Sequence, residues 1–235
     1  MKTIGSTIIM LALASSLFAD NGKELKLASP DGTHEIVFYQ KQVSPAVNEL
    51  CYRVDYKSQP VVNESRAGLE LDNRIWEMAL GVRNLKQPAC WMDNLEVDSV
   101  TYQPETNLTW QPLYGERSSV RDHYRAGTLC LSKKDNSGYR LNIEVRAYNE
   151  GVAFRYFFPE HPKAIFHKVV GDLTEYALPA GTKAWTEQWA QAFFERLNID
   201  DIKHPVERAL TFELPNGKWA ALADADVDDW CLTKY

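Results

Sequence analysis

Short runs of alternating apolar and polar residues are the feature that most limits what this chain can fold into. The clearest run, 139–148, places Leu141, Ile143 and Val145 on one side and polar residues on the other. Successive side chains of a strand point to opposite faces of a sheet, so this pattern predicts strands with one buried face. Similar runs occupy the segments 34–39 and 50–56.

Two pairs of such runs are joined by short turns and predict β-hairpins. The first hairpin joins 139–148 to 152–158 through 149–151, and the second joins 209–214 to 218–223 through Pro215-Asn216-Gly217. In the first turn we expect Gly151 to adopt a positive φ, which side-chain-bearing residues rarely tolerate.

Helical periodicity is scarce, and only the segment 186–197 has a pattern compatible with a turn or two of helix. Many short strands without helices between them favour an all-β fold, a large antiparallel β-sandwich with few short helices. No repeat or long linker interrupts the pattern, so one domain is predicted over 20–235.

The first residues have the layout of a secretory signal peptide. Lys2 precedes an apolar run over 8–13, small residues follow up to Ala19, and Asp20 is the first acid. The alternative, a membrane anchor, needs roughly 20 apolar residues, and this run is much shorter. We therefore predict a signal peptide over 1–19, no membrane span, and a periplasmic or secreted location.

Several functional classes are excluded by charge and by missing motifs. The chain has 26 basic and 32 acidic residues, a net charge of −6, and no basic stripe, so no nucleic-acid partner is expected. Phosphate-binding loops, zinc-protease helices and serine-hydrolase elbows have no counterpart in the sequence. The cysteines at 51, 90, 130 and 231 form no CxxC pair, which leaves disulfides or buried thiols as the alternatives.

Five segments, in order along the chain, resemble the N-terminal region of glycoside hydrolase family 97. The most specific is Arg146–Tyr156, RAYNEGVAFRY, which is similar to a hairpin sequence of that family. The others are the SPDG of 29–32, the SRAGLEL of 65–71, the WQPLYGE of 110–116 followed by VRDHY at 120–124, and the segment 205–230.

The resemblance implies an exported, carbohydrate-associated β-sandwich of the mutarotase-like super-sandwich type. In family 97 this domain supports a catalytic (β/α)8 barrel of an α-glucosidase or α-galactosidase, whose partners are α-linked oligosaccharides or glucans. Since the barrel motifs do not follow, we expect the domain to be incomplete at its C-terminal end and inactive alone. The alternative is a stand-alone carbohydrate-binding or protein-association sandwich without a catalytic role.

The resemblance also implies one metal ligand. A glutamate of the family's N-terminal domain binds calcium near the substrate, and Glu195 occupies the matching segment. Calcium prefers carboxylate oxygens, and a single carboxylate binds it weakly, so calcium is expected only if the barrel supplies the other ligands. The alternative is an ordinary surface glutamate.

An aromatic cluster beside two glutamates is the candidate substrate-binding site. Trp185, Glu187 and Trp189 are its predicted sugar-binding residues, because aromatic rings pack on the apolar faces of sugars and carboxylates accept hydrogen bonds from hydroxyls. Phe193 and Phe194 extend the cluster. Core packing is the alternative for these rings.

Two arginines flank the predicted first hairpin. Arg146 and Arg155 are expected to form ion pairs with acids across the strands, and the alternative is that they bind sugar hydroxyls.

Overall fold

The computed structural model describes residues 24–45, 47–71, 95–134, 139–160, 167–225, 227–228, 230 and 233–235. Within these ranges the regular structure is almost all antiparallel strand, and the only helix is a 3-10 turn at Ile199–Asp201. The predicted signal peptide lies outside the described residues. None of the described helical structure is long and apolar enough to cross a membrane.

The first sheet is formed by consecutive strands that pair with their neighbours in order. They are β1 (Glu24–Ala28), β2 (His34–Ser44), β3 (Val47–Tyr56) and β4 (Gln59–Arg66). A short strand, β5 (Leu69–Leu71), follows. The predicted strands at 34–39 and 50–56 are confirmed as parts of β2 and β3.

The second sheet contains the most strongly alternating segment of the sequence. Its strands are β6 (Leu95–Tyr102), β7 (Thr106–Trp110), β8 (Val120–Lys133), β9 (Arg140–Tyr148) and β10 (Gly151–Phe157). The order is β10-β9-β8-β6, and β7 pairs with the N-terminal half of β8.

Two smaller sheets complete the fold. Strand β11 (Val169–Asp172) pairs with β5. The third sheet has the order β13-β12-β14-β15 and is made of β12 (Lys183–Thr186), β13 (Glu195–Asn198), β14 (Leu210–Glu213) and β15 (Trp219–Leu222).

The first and second sheets pack face to face around the main core. Strand β1 contacts β8 and β9, and β2 contacts β9 and β10, across the interface. Leu141, Ile143 and Val145 are buried there, as their alternation predicts. The antiparallel sandwich is therefore confirmed. A second buried cluster lies against the third sheet and contains Ala184, Val206, Leu210, Phe212 and Leu214.

Both predicted hairpins are confirmed, but the turn of the first differs from the expectation. Strands β9 and β10 pair with Gly151 opposite Tyr148, so Gly151 is the first residue of a strand. Its φ is not positive, unlike that of Gly217 in the second hairpin. The prediction for Gly151 was wrong because residues 149 and 150 form the turn, and the glycine lies just beyond it.

The predicted helical turn at 186–197 is also wrong. Strand β12 ends at Thr186 and β13 begins at Glu195, so the segment is a hairpin with a loop at 187–194. Gln191 in this loop has φ of 78°, a left-handed conformation that a helix does not contain.

One of the two arginine predictions holds. Arg155 forms an ion pair with Glu144 across β9 and β10, with Nε 2.7 Å from Oε2. Arg146 instead lies over the ring of Tyr124 at 4.6 Å and donates a hydrogen bond to the Tyr148 hydroxyl, 3.4 Å away. An aromatic partner thus replaces the expected acid.

Two of the four cysteines lie in the described residues. Cys51 on β3 is buried and Cys130 on β8 is half-buried, and both are free thiols. Burial raises the pKa of the Cys51 thiol to about 11, so it stays protonated at neutral pH. Cys90 and Cys231 lie outside the described residues.

A hydrogen-bonded turn joins β1 to β2. Asp31 Oδ1 accepts hydrogen bonds from the Ser29 hydroxyl at 2.6 Å, from the Thr33 amide at 2.9 Å and from the Thr33 hydroxyl at 2.8 Å. The bond from Ser29, followed by those from Thr33, lowers the pKa of Asp31 to about 2. The turn therefore favours the ionised carboxylate.

We predict that Asp31→Asn lowers the free energy of unfolding at neutral pH and does so much less near pH 2. A carboxyl group whose pKa is lower in the folded state stabilises the fold above its unfolded pKa and loses this effect as pH falls through the folded value. Urea denaturation of both proteins at the two pH values measures the difference. A deficit of equal size at both would contradict the prediction.

Candidate functional site

The candidate site is the loop at 187–194, which joins β12 to β13. The pairing of these strands places Thr186 opposite Glu195, and the Thr186 hydroxyl donates a hydrogen bond to the Glu195 carbonyl at 3.3 Å. Within the loop, the Ala192 amide donates to the Trp189 carbonyl at 2.8 Å, which closes a tight turn. The sequence thus brings both predicted glutamates to one end of the hairpin.

Two later segments of the chain hold this loop in place. The Glu207 amide donates to the Glu187 carbonyl at 2.8 Å, and the Lys234 ammonium donates to the Gln188 carbonyl at 3.1 Å. The two segments are themselves joined, because Val206 and Tyr235 exchange backbone hydrogen bonds. The loop is therefore fixed by tertiary contacts at its N-terminal end.

A surface cavity of about 280 Å³ opens beside the loop. It combines two carboxylates, Glu187 and Glu195, with the aromatic rings of Trp189 and Phe193. The remaining lining residues are Thr186, Gln188, Gln191, Ala192, Leu197, Ile202, Lys203, His204 and Val206. Apolar walls with a few polar groups are the usual composition of a small-ligand site.

Trp185 does not belong to this cavity. Its neighbour on β12, Thr186, lines the cavity. Successive residues of a strand face opposite sides of the sheet, so Trp185 faces away from the cavity. Its ring stacks on Trp219 of β15 with centroids 4.5 Å apart. The structure therefore brings Glu187 and Trp189 together and separates them from Trp185.

Three of the four rings in the predicted cluster face solvent. Trp189 is 58% exposed, Phe194 is 68% exposed and Phe193 is 92% exposed. Core packing, the alternative for these rings, is therefore wrong for all three. Adjacent exposed aromatic side chains of this kind usually mark a surface that another molecule covers.

Glu195 lines the cavity and is exposed to solvent. Within the described ranges, no group of three or more histidine, cysteine, aspartate or glutamate residues is arranged to hold a metal ion. Calcium takes roughly six to eight oxygen ligands. The role of Glu195 as a calcium ligand therefore stays a prediction.

Sequence reasoning missed two charged or titratable residues of the cavity. Lys203 and His204 follow the 3-10 turn and line the cavity. No motif in the sequence indicates them, because only the chain reversal after β13 brings them back to the loop. Lys203 adds a hydrogen-bond donor to a cavity that also contains two carboxylates.

The profile of the family described as Glycosyl-hydrolase 97 N-terminal matches residues 27–234. A retaining alpha-galactosidase of Bacteroides thetaiotaomicron is 26% identical over 178 residues, which is 76% of this chain and 22% of that enzyme.

Solved structures show the same fold. A glycoside hydrolase family 97 enzyme from Pseudoalteromonas sp. strain K8, in complex with acarbose, superposes with a TM-score of 0.75 at 23% identity, covering 89% of this chain and 30% of that one. A variant of a family 97 enzyme from that strain, in complex with panose, gives 0.68 at 24% identity, covering 82% and 27%.

A more distant structure, a beta-arabinopyranosidase, gives a TM-score of 0.66 at 16% identity, covering 84% of this chain and 31% of that one. The chain thus spans less than a third of the length of these relatives. Because the family profile covers nearly the whole described fold, the chain belongs to the N-terminal domain family of glycoside hydrolase family 97.

Proposed function

We propose that this chain is the exported, carbohydrate-associated N-terminal domain of a family 97 α-glycosidase. Its role is to support the catalytic barrel and to contribute Glu195 as one calcium ligand beside the substrate. The observation that carries the proposal is the cavity beside the loop at 187–194, where two carboxylates lie next to exposed aromatic rings.

The exposed aromatic residues support a role in docking. Phe193 and Phe194 are large apolar side chains at the surface of a chain that spans less than a third of the length of its relatives. Covering them with another domain would remove apolar area from water and stabilise the association. The barrel is the partner that we propose for this surface.

The cavity supports a role near the sugar. Glu187 and Trp189 offer a hydrogen-bond acceptor and a ring beside Glu195, and α-linked oligosaccharides are the proposed ligands. Panose, which is bound to one of the similar enzymes, is a suitable probe of this class. The apolar run at the start of the sequence supports export to the periplasm or the exterior.

We predict that Glu195→Gln weakens calcium binding about tenfold in an enzyme assembled from this chain and the barrel of a family 97 relative. The amide keeps the size of the side chain but removes the charge that attracts the cation. Calorimetric titration of the calcium-depleted assembly measures the affinity.

A matched control is Glu96→Gln, since Glu96 is an exposed acid on β6 of another sheet. It should leave calcium affinity unchanged in the assembly. In the chain without a barrel, neither substitution should alter calcium binding. An assembly in which Glu195→Gln binds calcium as the parent does would refute the role of Glu195.

A further inference from the structure

The solvent-facing side of the third sheet carries a stack of aromatic and charged side chains. The side chains of Ala184 and Phe212 point inward to the second buried cluster. Trp185 therefore points outward, and the register places it opposite Arg196 on β13 and opposite Thr211 on β14. Trp219 lies on β15, beyond β14.

The stack has a defined order. The Arg196 guanidinium lies 5.0 Å from the ring centre of Trp185, and the rings of Trp185 and Trp219 are 4.5 Å apart with an interplanar angle of 33°. Arg196 also donates a hydrogen bond to Glu213 Oε2 at 2.6 Å. Arg196 is thus held by an ion pair and by the Trp185 ring. The stack of Arg196, Trp185 and Trp219, which we call the platform, is therefore ordered before any ligand binds.

Much of this platform is open to solvent. Trp219 is 57% exposed, although it is one of the largest apolar side chains of the sheet. Trp185 is partly covered by its two stacking neighbours. An exposed tryptophan on a sheet face, near a guanidinium and a carboxylate, offers both an apolar surface and hydrogen-bond partners.

This combination fits the chemistry of a pyranose ring. Such a ring has an apolar face of C–H groups, which pack on an indole, and a rim of hydroxyls, which both donate and accept hydrogen bonds. Glu213 can accept from a hydroxyl and Arg196 can donate to one. A nucleic-acid ligand is disfavoured by the net charge of −6.

We propose that the outward face of the third sheet is a carbohydrate-binding surface, with Trp219 and Trp185 as its stacking platform and Arg196 and Glu213 as its polar partners. The open face suits units of an oligosaccharide chain. This surface is separate from the cavity beside the loop at 187–194, and it needs neither calcium nor a barrel.

The experiment is a titration of the ¹⁵N-labelled 235-residue chain with panose, followed by the indole N–H signals in NMR spectra. Substitutions Trp185→Phe and Trp219→Phe assign two of these signals. We expect saturable shifts of the Trp185 and Trp219 signals and none of the Trp110 signal. Unmoved signals at Trp185 and Trp219, or shifts confined to Trp189, would overturn the proposal.

The affinity test is Trp219→Ala, which we expect to weaken panose binding about tenfold, or about 1.4 kcal/mol. The matched control is Trp110→Ala, since Trp110 is 53% exposed on β7 of the second sheet, and it should bind as the parent does. Equal weakening by both substitutions would contradict a specific platform.

Failure of this surface can be told apart from failure of the proposed domain role. The two sites have separate reporters, because Trp189 lines the cavity whereas Trp185 and Trp219 stack on the other side of the third sheet. If panose shifts the Trp189 signal and leaves those of Trp185 and Trp219 unmoved, the ligand occupies the cavity and the outward face is excluded.

Discussion

Replacing Phe38 with alanine is expected to lower the free energy of unfolding by about 3–5 kcal/mol. Phe38 on β2 is fully buried in the sandwich core. Its ring stacks on Tyr52 at 5.2 Å and meets the edge of Phe154 at 5.1 Å, so it links the two sheets. Removing the ring takes away buried apolar area and leaves a cavity between strands that cannot easily close it.

Urea denaturation followed by circular dichroism measures this loss. The matched control is Phe193→Ala, because the same ring is removed from a side chain that is 92% exposed. It should change the free energy of unfolding by less than about 0.5 kcal/mol. Similar losses in the two variants would mean that the described core does not determine the stability of the chain.

The strands and hairpins of this fold follow from local sequence because alternation has a period of two residues. Leu141, Ile143 and Val145 share a face whatever the rest of the chain does, and burial of that face makes the register unambiguous. The Asn216-Gly217 turn is similarly local, and Gly217 has the positive φ, 78°, that such turns use.

The composition of the candidate site depends on information that is not local. Trp185 and Glu187 are two residues apart, and their separation depends on the strand ending between them, at Thr186. Likewise, Trp219 reaches Trp185 only because β14 lies between their strands. Predicting this arrangement from sequence requires the strand order, which no single segment encodes.

The mistaken helix at 186–197 has a related cause. Its aromatic residues follow a spacing that suits one face of a helix, but their exposure shows that no such face is buried. Most helical stability in proteins comes from packing an apolar face, so the pattern alone is a weak signal over so few residues. The hydrogen bonds between β12 and β13 determine the outcome.

Gly127 lies at a position where the two sheets of the sandwich are in close contact. It lies on β8, opposite Tyr102 of β6. A Cβ atom added to it would lie 3.1 Å from Leu25 Cδ1 and 3.3 Å from both the Thr101 carbonyl oxygen and Tyr102 Cδ1. Leu25 belongs to β1 of the other sheet, so a side chain at this position would push the sheets apart.

We therefore predict that Gly127→Val lowers the free energy of unfolding by about 2–3 kcal/mol, because the added methyl groups enter a space that is already filled. Gly151→Val is the control, since no atom lies within 4 Å of its added Cβ and its φ is not positive. Valine favours strands, so the control should be neutral within about 0.5 kcal/mol. Urea denaturation of both variants measures the free energy of unfolding. Equal losses in the two variants would mean that β1 and β8 do not approach each other at Gly127.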